Sequence, residues 1–444
     1  MNRTWLAIIC AALLGLSLPA RADDAIHIGV QSCAGNNCHG AVQPIGASRV
    51  PQNEYFIWSQ KDKHAQAYTV LTNDRSKRIA RNLGLADPDH PEHASLCLDC
   101  HADNVEPAHR GPQFQLADGV GCEACHGGAG PSPTNPGGWL GPHLSGEDHA
   151  ANLKAGLYAT DQPEARGVRC LSCHLGDDKK FVIHKIMGAG HPPTPFELDT
   201  YTAIEPAHFV VNQSYIERKG RPNDIQIWAM GQAVDVKLRM DLVLNPSHAP
   251  KGVDFELSLF DCQACHHSMS ELQWRARNTT GLPPGRIRLY DATAVMLLTV
   301  ADRIAPDTAK QLATHLLALH AATGESWDAV KKEATAVREA ADKLIPAIAS
   351  HDFTKDDATK LGHAVVASAL NSGGDLDYSG AQQQVMALES IVAAMKQLGF
   401  ADDKQLGPLN DALGGLYEAV ANDQKFNPDS YVEALKAFNA KLPM

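Results

Sequence analysis

Ten of the eleven cysteines form five pairs, and a histidine directly follows the second cysteine of each pair. Four motifs have two residues between the cysteines, and the first has four. The motifs are Cys33/Cys38/His39, Cys97/Cys100/His101, Cys122/Cys125/His126, Cys170/Cys173/His174 and Cys262/Cys265/His266. Cys-x-x-Cys-His is the attachment motif of haem c, in which two thioethers hold the porphyrin and the adjacent imidazole binds iron. The pattern therefore predicts five covalently attached haems.

Other uses of paired cysteines explain the pattern less well. Structural disulfides do not require a histidine after each pair, and zinc ribbons leave the five matched histidines unexplained. Thioredoxin-type redox sites occur singly on a strand-to-helix unit. For the wider Cys33 motif a plain disulfide remains the alternative, although haem attachment would make all five motifs equivalent.

Twelve further histidines precede residue 268, which favours a second imidazole on most irons. A methionine in that position would raise the haem potential. His64 and His149 lie in helix-like stretches, and glycines between His184 and His191 allow close approach to a flat macrocycle. The candidate second ligands are His64, His149, His184, His191, His267 and His208, with His27, His90, His93, His109, His143 and His248 in reserve. Met187 and Met269 are possible axial sulfurs, although packing methionines are more common.

The first 22 residues have the pattern of a secretory signal peptide. Arg3 precedes an apolar run from Trp5 to Pro19, and Ala20-Arg21-Ala22 forms a small-x-small cleavage site. The run is shorter than the roughly 20 residues that span a bilayer. We expect cleavage near Ala22, which removes Cys10, and a periplasmic protein without a membrane span. The formal charge of −12 argues against a nucleic-acid partner.

The elements that position the motifs fall into two regions, which we predict as a pentahaem domain at 23–285 and a helical bundle domain at 286–444. In the first, haems must form much of the core, because five motifs lie within about 230 residues. The second lacks cysteine and has helical patterns at 291–304, 307–321, 327–349, 356–370, 380–398, 408–421 and 429–441. Ser326 and Ser379 are candidate caps, and Gly399 a helix stop. The fold class is mainly α, with little regular sheet in the haem region and an all-α bundle after it.

The N-terminal half resembles the cytochrome c-554 family, periplasmic multihaem cytochromes related in haem arrangement to hydroxylamine oxidoreductase and pentahaem nitrite reductase. The resemblance covers about residues 31–200 and is most specific at 119–127, GVGCEACHG, and 169–175, RCLSCHL. Trp58 with His64, and His149 before Lys154-Ala155-Gly156, are similar to the family's distal-ligand segments.

The resemblance implies bis-histidine ligation for most haems, stacked in near-parallel and near-perpendicular pairs. It also implies a five-coordinate haem at the second motif, that of His101. The wide first motif, the fifth motif and the helical tail depart from the tetrahaem pattern. The nitrite reductases' lysine-ligated haem has no counterpart, because every motif ends in histidine.

These features lead to two principal functional hypotheses. The first is a periplasmic electron carrier between a membrane quinol-oxidising system or other cytochromes and a terminal redox enzyme. The alternative is a reductase or oxidase of small nitrogen or sulfur compounds at one five-coordinate haem. A third, less favoured class is an assembly subunit that acts through its helical bundle, which could also mediate homo- or hetero-oligomerisation.

Overall fold

A computed structural model describes residues 24–46, 50–133, 135–249, 256–266, 282, 288–371 and 376–443. The predicted signal peptide, His267, Met269 and the domain boundary at 285 lie outside these residues. Within the described ranges, extended pairing is limited to isolated bridges, such as His27 with Arg110. The predicted mainly-α class is therefore confirmed. No helix of the described part is both long and apolar enough to cross a membrane.

Short helices joined by turns make up the chain before residue 222, where glycine and proline interrupt the sequence frequently. They are α1 Val30–Cys33, α2 Glu54–Lys61, α3 Asp74–Leu83, α4 Ser95–His101, α5 Cys122–His126, α6 Leu140–Leu144, α7 His149–Lys154, α8 Pro163–His174, α9 His184–Gly188, α10 Leu198–Ile204 and α11 Gln213–Lys219. Single 3-10 turns lie at Lys63–Gln66, Thr69–Thr72, Pro91–His93, Pro107–His109, Leu116–Asp118, Pro246–His248, Leu257–Leu259, Cys262–Ala264 and Asp423–Lys425.

Longer helices follow, and they pack against one another. They are α12 Asp224–Leu244, α13 Ala292–Ile304, α14 Pro306–Ala322, α15 Trp327–Ser350, α16 Lys355–Leu370, α17 Tyr378–Gln397, α18 Asp403–Ala419 and α19 Pro428–Asn439. The Asn223 side chain caps α12 by accepting a hydrogen bond from the Gln226 amide, at 3.2 Å. This helix is apolar around most of its circumference, and Trp228, near its N-terminal end, is fully buried. A helix with that pattern belongs in a core.

The main apolar core extends from Leu171 to Leu442. It includes side chains of α8, α10 and α12, which precede residue 285, together with the helices that follow that residue. By contrast, a second apolar cluster among the described residues has only three buried members, Leu71, Leu98 and Ala102. The segment with the first three motifs thus buries little aliphatic surface, as expected if macrocycles fill its interior.

The bundle helices agree closely with their predicted positions, with two corrections. The helix predicted at 408–421 begins at Asp403, because Asp402 and Gln405 form a capping box ahead of Pro408. The predicted cap at Ser379 is wrong, since Asp377 caps α17 by accepting from the Gly380 amide at 2.7 Å. Ser326 does cap α15, and Gly399 follows the end of α17 with a φ of 72°.

Candidate functional site

Each of the five motif histidines faces a second histidine from a distant part of the chain. Four of the partners were predicted as second ligands, and one was a reserve. The ring-centroid separations are 5.8 Å for His39 and His143, 6.3 Å for His101 and His191, 6.2 Å for His126 and His208, 6.2 Å for His174 and His64, and 6.2 Å for His266 and His184.

This separation is the one that a metal ion between two imidazoles requires. Two metal–nitrogen bonds of about 2.0 Å, plus about 1.2 Å from each nitrogen to its ring centre, place trans imidazole centroids about 6.4 Å apart. Direct stacking would bring rings closer, and unrelated histidines would not repeat one spacing five times. The donor set therefore fits an iron between each pair, and the adjacent cysteines fit the porphyrin edge.

Local backbone geometry places each motif histidine beside its cysteines. His101, His126 and His174 end α4, α5 and α8, so both cysteines of each motif lie in the last helical turns. Cysteines three residues apart share one face of a helix. The wide first motif absorbs its extra residues in a turn closed by the Cys38 amide on the Gly35 carbonyl, at 2.8 Å. The His39 amide still bonds the Cys33 carbonyl, at 3.2 Å, as the His266 amide bonds that of Cys262, at 2.8 Å.

We expected the haem sites to form much of the core, but the two cysteines of the fifth motif, Cys262 and Cys265, are exposed. Cys38 of the first motif is exposed as well. Cys262–Ala264 is a single 3-10 turn, and Cys265 follows it with its amide on the Cys262 carbonyl, at 3.2 Å. In the three motifs that end an α-helix, all cysteines are partly buried, namely Cys97, Cys100, Cys122, Cys125, Cys170 and Cys173. Haem attachment at Cys262 and Cys265 therefore stays a prediction for a site at the surface.

Several of the facing imidazoles are held through Nδ1, which leaves Nε2 to face the partner ring. His39 Nδ1 lies 3.0 Å from Glu54 Oε2, and His64 Nδ1 lies 2.9 Å from Asp62 Oδ1. His101 and His191 use carbonyl oxygens instead, at 3.0 Å from Ala67 and 2.8 Å from Pro192. Metal-binding histidines characteristically bond a carboxylate or carbonyl in this way, because it fixes the tautomer and the ring orientation.

Burial also keeps two of the motif imidazoles neutral. It lowers the pKa of His126 to about 4, assisted by the charge of His208. It likewise lowers the pKa of His174 to about 4, with a further contribution from His64. A metal binds the neutral form of imidazole, so these environments suit a ligand.

His149 and His143 are placed differently from what the sequence predicted. His149 begins α7, and its Nε2 lies 3.1 Å from Asp161 Oδ2. His143, a reserve candidate, faces His39 from α6, and its ring also contacts Trp139 one helical turn earlier, at 5.6 Å. The signal that could have favoured His143 is this Trp-x-x-x-His spacing, which puts both rings on one face of a helix.

Cysteine thiols of different motifs come together in two places. The side chains of Cys33 and Cys122 lie next to each other, and in the thiol form their interaction lowers the pKa of Cys33 and raises that of Cys122. Cys100 and Cys173 form a second such pair, in which the hydrogen bond raises the pKa of the Cys100 thiol. The first and third motifs thus meet at their thiols, and so do the second and fourth.

Two charged residues that sequence reasoning passed over organise these junctions. Glu123, inside the third motif and 3% exposed, accepts hydrogen bonds from the amides of Ile28, Gly29 and Ala129, at 2.9, 2.7 and 2.8 Å. It thereby fixes the segment that enters α1 and carries Cys33. Lys180 Nζ lies 3.1 Å from Cys173 Sγ and 2.9 Å from the Asp99 carbonyl, at the other junction.

Thioether-forming cysteines with paired imidazoles define the haem sites of c-type cytochromes. Residues 33–127, which contain the first three motifs, match the family model described as cytochrome c554 and c-prime. The match covers 95 of the 444 residues and supports the predicted resemblance. It also supports covalently bound haem c and a role in electron transfer. No curated protein and no solved structure matches the chain.

Proposed function

We propose that the protein is a pentahaem electron-transfer cytochrome in which two histidines hold every iron. The observation that carries this proposal is the recurrence of one imidazole–imidazole spacing at all five motifs. The proposed ligand pairs are His39/His143, His101/His191, His126/His208, His174/His64 and His266/His184. When bound, each haem takes up and releases one electron, while the protein fixes its position and potential.

His143 replaces His149 in this ligand set. His143 faces His39 with nearly parallel ring planes, 13° apart, whereas His149 Nε2 lies against the Asp161 carboxylate. A carboxylate at hydrogen-bond distance occupies the nitrogen that an iron would need. We therefore assign His149 to a structural role in α7.

The pair at the second motif argues against a catalytic haem there. His191 lies 6.3 Å from His101, on the side where a five-coordinate iron would bind a small substrate. The Nδ1 atoms of both rings bond carbonyl oxygens, so neither ring is free to turn away without losing a hydrogen bond. This arrangement favours electron transfer over reduction or oxidation of small nitrogen or sulfur compounds.

The cysteine contacts support closely spaced haems. Because thioethers join the protein to the porphyrin edge, adjacent Cys33 and Cys122 bring the edges at the first and third motifs together. Cys100 and Cys173 do the same for the second and fourth motifs. His64 connects the two groups, because its carbonyl accepts from the Val120 amide at 3.1 Å while its ring faces His174. We infer a continuous path for electrons through these four sites. The segment 180–184 joins the fifth site to them, because Lys180 contacts Cys173 of the fourth motif and His184 faces His266.

The exposure of the fifth motif suits an entry or exit point for electrons on this path. Cys262, Cys265 and His266 are all exposed, so a haem attached there would lie within reach of a partner protein. The partly buried second, third and fourth motifs would then carry electrons through the interior. Cys265→Ser should leave this haem attached through Cys262 alone. The intact mass should therefore still correspond to five haems, while the visible spectrum of one haem shifts because one of its vinyl groups is no longer saturated.

Haem content and single-histidine variants test the proposal. The intact mass should correspond to five haems. A mass with four would contradict the proposal, and mapping of the peptides that carry Cys33 and Cys262 would show which motif lacks haem. His143→Ala should convert one of the five haems from low-spin to high-spin ferric, whereas the matched variant His149→Ala should leave all five low-spin. A high-spin signal from His149→Ala and none from His143→Ala would refute the assignment, and a high-spin haem in the wild type would favour the catalytic alternative.

The remaining proposals concern location and partners. The signal-like residues 1–22 support export to the periplasm, where haem c would accept electrons from a quinol-oxidising system or another cytochrome. The acidic net charge suits a basic partner surface. Electron-transfer rates with such a partner should fall as salt rises, since screening weakens long-range attraction.

A further inference from the structure

We propose that His90, Glu92 and His93, with Asp87 beside them, form a separate binding site for one divalent transition-metal ion of the zinc and copper class. The site lies in the turn that joins α3 to α4. It uses none of the ten histidines of the five facing pairs. The proposal therefore does not depend on the ligation of any haem.

The potential ligand atoms already converge. One ligand atom each from His90, Glu92 and His93 lies within 4.8 Å of the other two. His90 Nδ1 is 3.1 Å from Glu92 Oε1, and the two imidazole rings lie 5.2 Å apart with a 15° angle between their planes. Around tetrahedral zinc, neighbouring ligand atoms are about 3.4 Å apart, so a modest side-chain rotation completes the geometry.

The backbone keeps the two imidazoles on the same side of the turn. His90 precedes the 3-10 helix Pro91–His93, and residues three apart are eclipsed in a 3-10 helix. The His93 amide bonds the His90 carbonyl at 3.0 Å, and Pro91 restricts φ at the first position. Because this turn is fixed without a metal, little backbone ordering opposes binding.

The carboxylates complete a donor set suited to the ion. Glu92 Oε2 is buried and has no hydrogen-bond partner among the described residues, so it retains its capacity to bind a cation. Asp87 Oδ2 lies 3.7 Å from His93 Nδ1 and can supply a fourth ligand. Asp89 is already paired with Arg81, at 3.0 Å. Two imidazoles with one or two carboxylates are ligands that zinc, copper and nickel accept, whereas magnesium and calcium prefer oxygen alone.

The exposure of the imidazoles makes the site accessible. The side chains of His90 and His93 are 55% and 64% exposed, while that of Glu92 is 12% exposed. An ion can therefore enter from solvent and meet a carboxylate held at the base of the site.

Calorimetric titration of the haem-loaded protein with Zn²⁺ at pH 7.5 tests the site. We expect one tight site per chain in the wild type. The double variant His90→Ala/His93→Ala should weaken it at least about tenfold. His315→Ala is the matched control, because His315 is a half-buried histidine paired with a carboxylate, Glu333, at 2.8 Å, with no second imidazole beside it among the described residues. It should retain wild-type affinity.

X-ray absorption at the zinc edge gives an independent measurement, and we expect two imidazoles with oxygen ligands. Unchanged visible and circular dichroism spectra would show that the variants keep their haems and fold. Equal zinc affinity in the double variant and the wild type would overturn the proposal. So would a zinc spectrum without imidazole, or no tight binding in the wild type.

Discussion

A buried group of carboxyls at the starts of α10 and α12 should make the free energy of unfolding depend on pH. Glu197 and Asp199 lie at the start of α10, with Asp224 at the start of α12. Burial, with repulsion from Asp224 and Glu197, raises the pKa of Asp199 to about 9. Burial also raises the pKa of Asp224 to about 6. Asp199 is 6% exposed, so solvent does little to relieve the cost of ionising it.

The sign of the effect follows from proton binding. At neutral pH the folded protein keeps a proton on Asp199, whereas the unfolded chain, with a pKa near 3.8, has released it. Unfolding thus releases a proton, and the free energy of unfolding falls as pH rises from about 5 to the folded pKa near 9. Each pH unit in this range costs about 1.4 kcal/mol for one such group.

Replacing Asp199 with asparagine removes this dependence, because an amide resembles the protonated carboxyl and does not titrate. Between pH 6 and pH 8, the free energy of unfolding of Asp199→Asn should rise relative to wild type by about 2.7 kcal/mol. Any effect of the substitution on packing adds a constant offset and leaves this difference in slope unchanged.

Guanidinium unfolding of the haem-loaded protein, followed by circular dichroism at pH 6, 7 and 8, measures the difference. Asp352→Asn, at an exposed aspartate, is the control and should follow the wild type at each pH. A constant offset between Asp199→Asn and wild type across this range would refute the reasoning, since it would mean that Asp199 is ionised in the folded protein.

Three further predictions concern the haem sites. Glu123→Ala should lower the free energy of unfolding by more than about 3 kcal/mol, since the buried amides of Gly29 and Ala129 and the partly buried amide of Ile28 lose their acceptor. Glu123→Gln keeps one acceptor oxygen and should lose less. Equal denaturation midpoints for Glu123→Ala and wild type would contradict this. Lys180→Met should lower the midpoint potential of a haem at the second or fourth motif by on the order of 50 mV, because a nearby cation favours the reduced iron. A redox titration with unchanged potentials would contradict this electrostatic effect of Lys180. Paramagnetic resonance of the oxidised protein should give two rhombic low-spin signals, from the two pairs whose imidazole planes are 13° and 25° apart. It should also give three strongly anisotropic signals, from the pairs whose planes are 81° to 87° apart. Five signals of one type would contradict these orientations.

The sequence by itself was enough to predict the attachment motifs and most bundle helices. Haem attachment requires two cysteines and a histidine within about two helical turns, so its signature is local and readable. The bundle helices are likewise marked by periodicity and by caps such as Ser326. The start at Asp403 and the cap at Asp377 were missed, because a proline inside a helix and a competing nearby serine obscured the boundaries.

The degree of burial of each motif was not readable from the sequence. The Cys262/Cys265 motif has the same spacing as the three motifs that end α-helices, yet its cysteines are exposed and theirs are partly buried. Spacing fixes only how many residues separate the two thiols and the imidazole, since the fifth motif forms a 3-10 turn where the other three end α-helices. Burial depends on which elements pack over them, and that is settled only when the whole chain folds.

Only the tertiary structure decided which second histidine faces which motif. His64 meets His174, and His143 meets His39, across roughly a hundred residues each, and no local pattern encodes such a pairing. From the sequence His149 is the stronger candidate and His143 only a reserve, because His149 lies in a helix-like stretch. Their different roles depend on where α6 and α7 pack, which brings His143 to His39 and His149 to Asp161. Covalent attachment is a property of neighbouring residues, whereas axial pairing is a property of the folded chain.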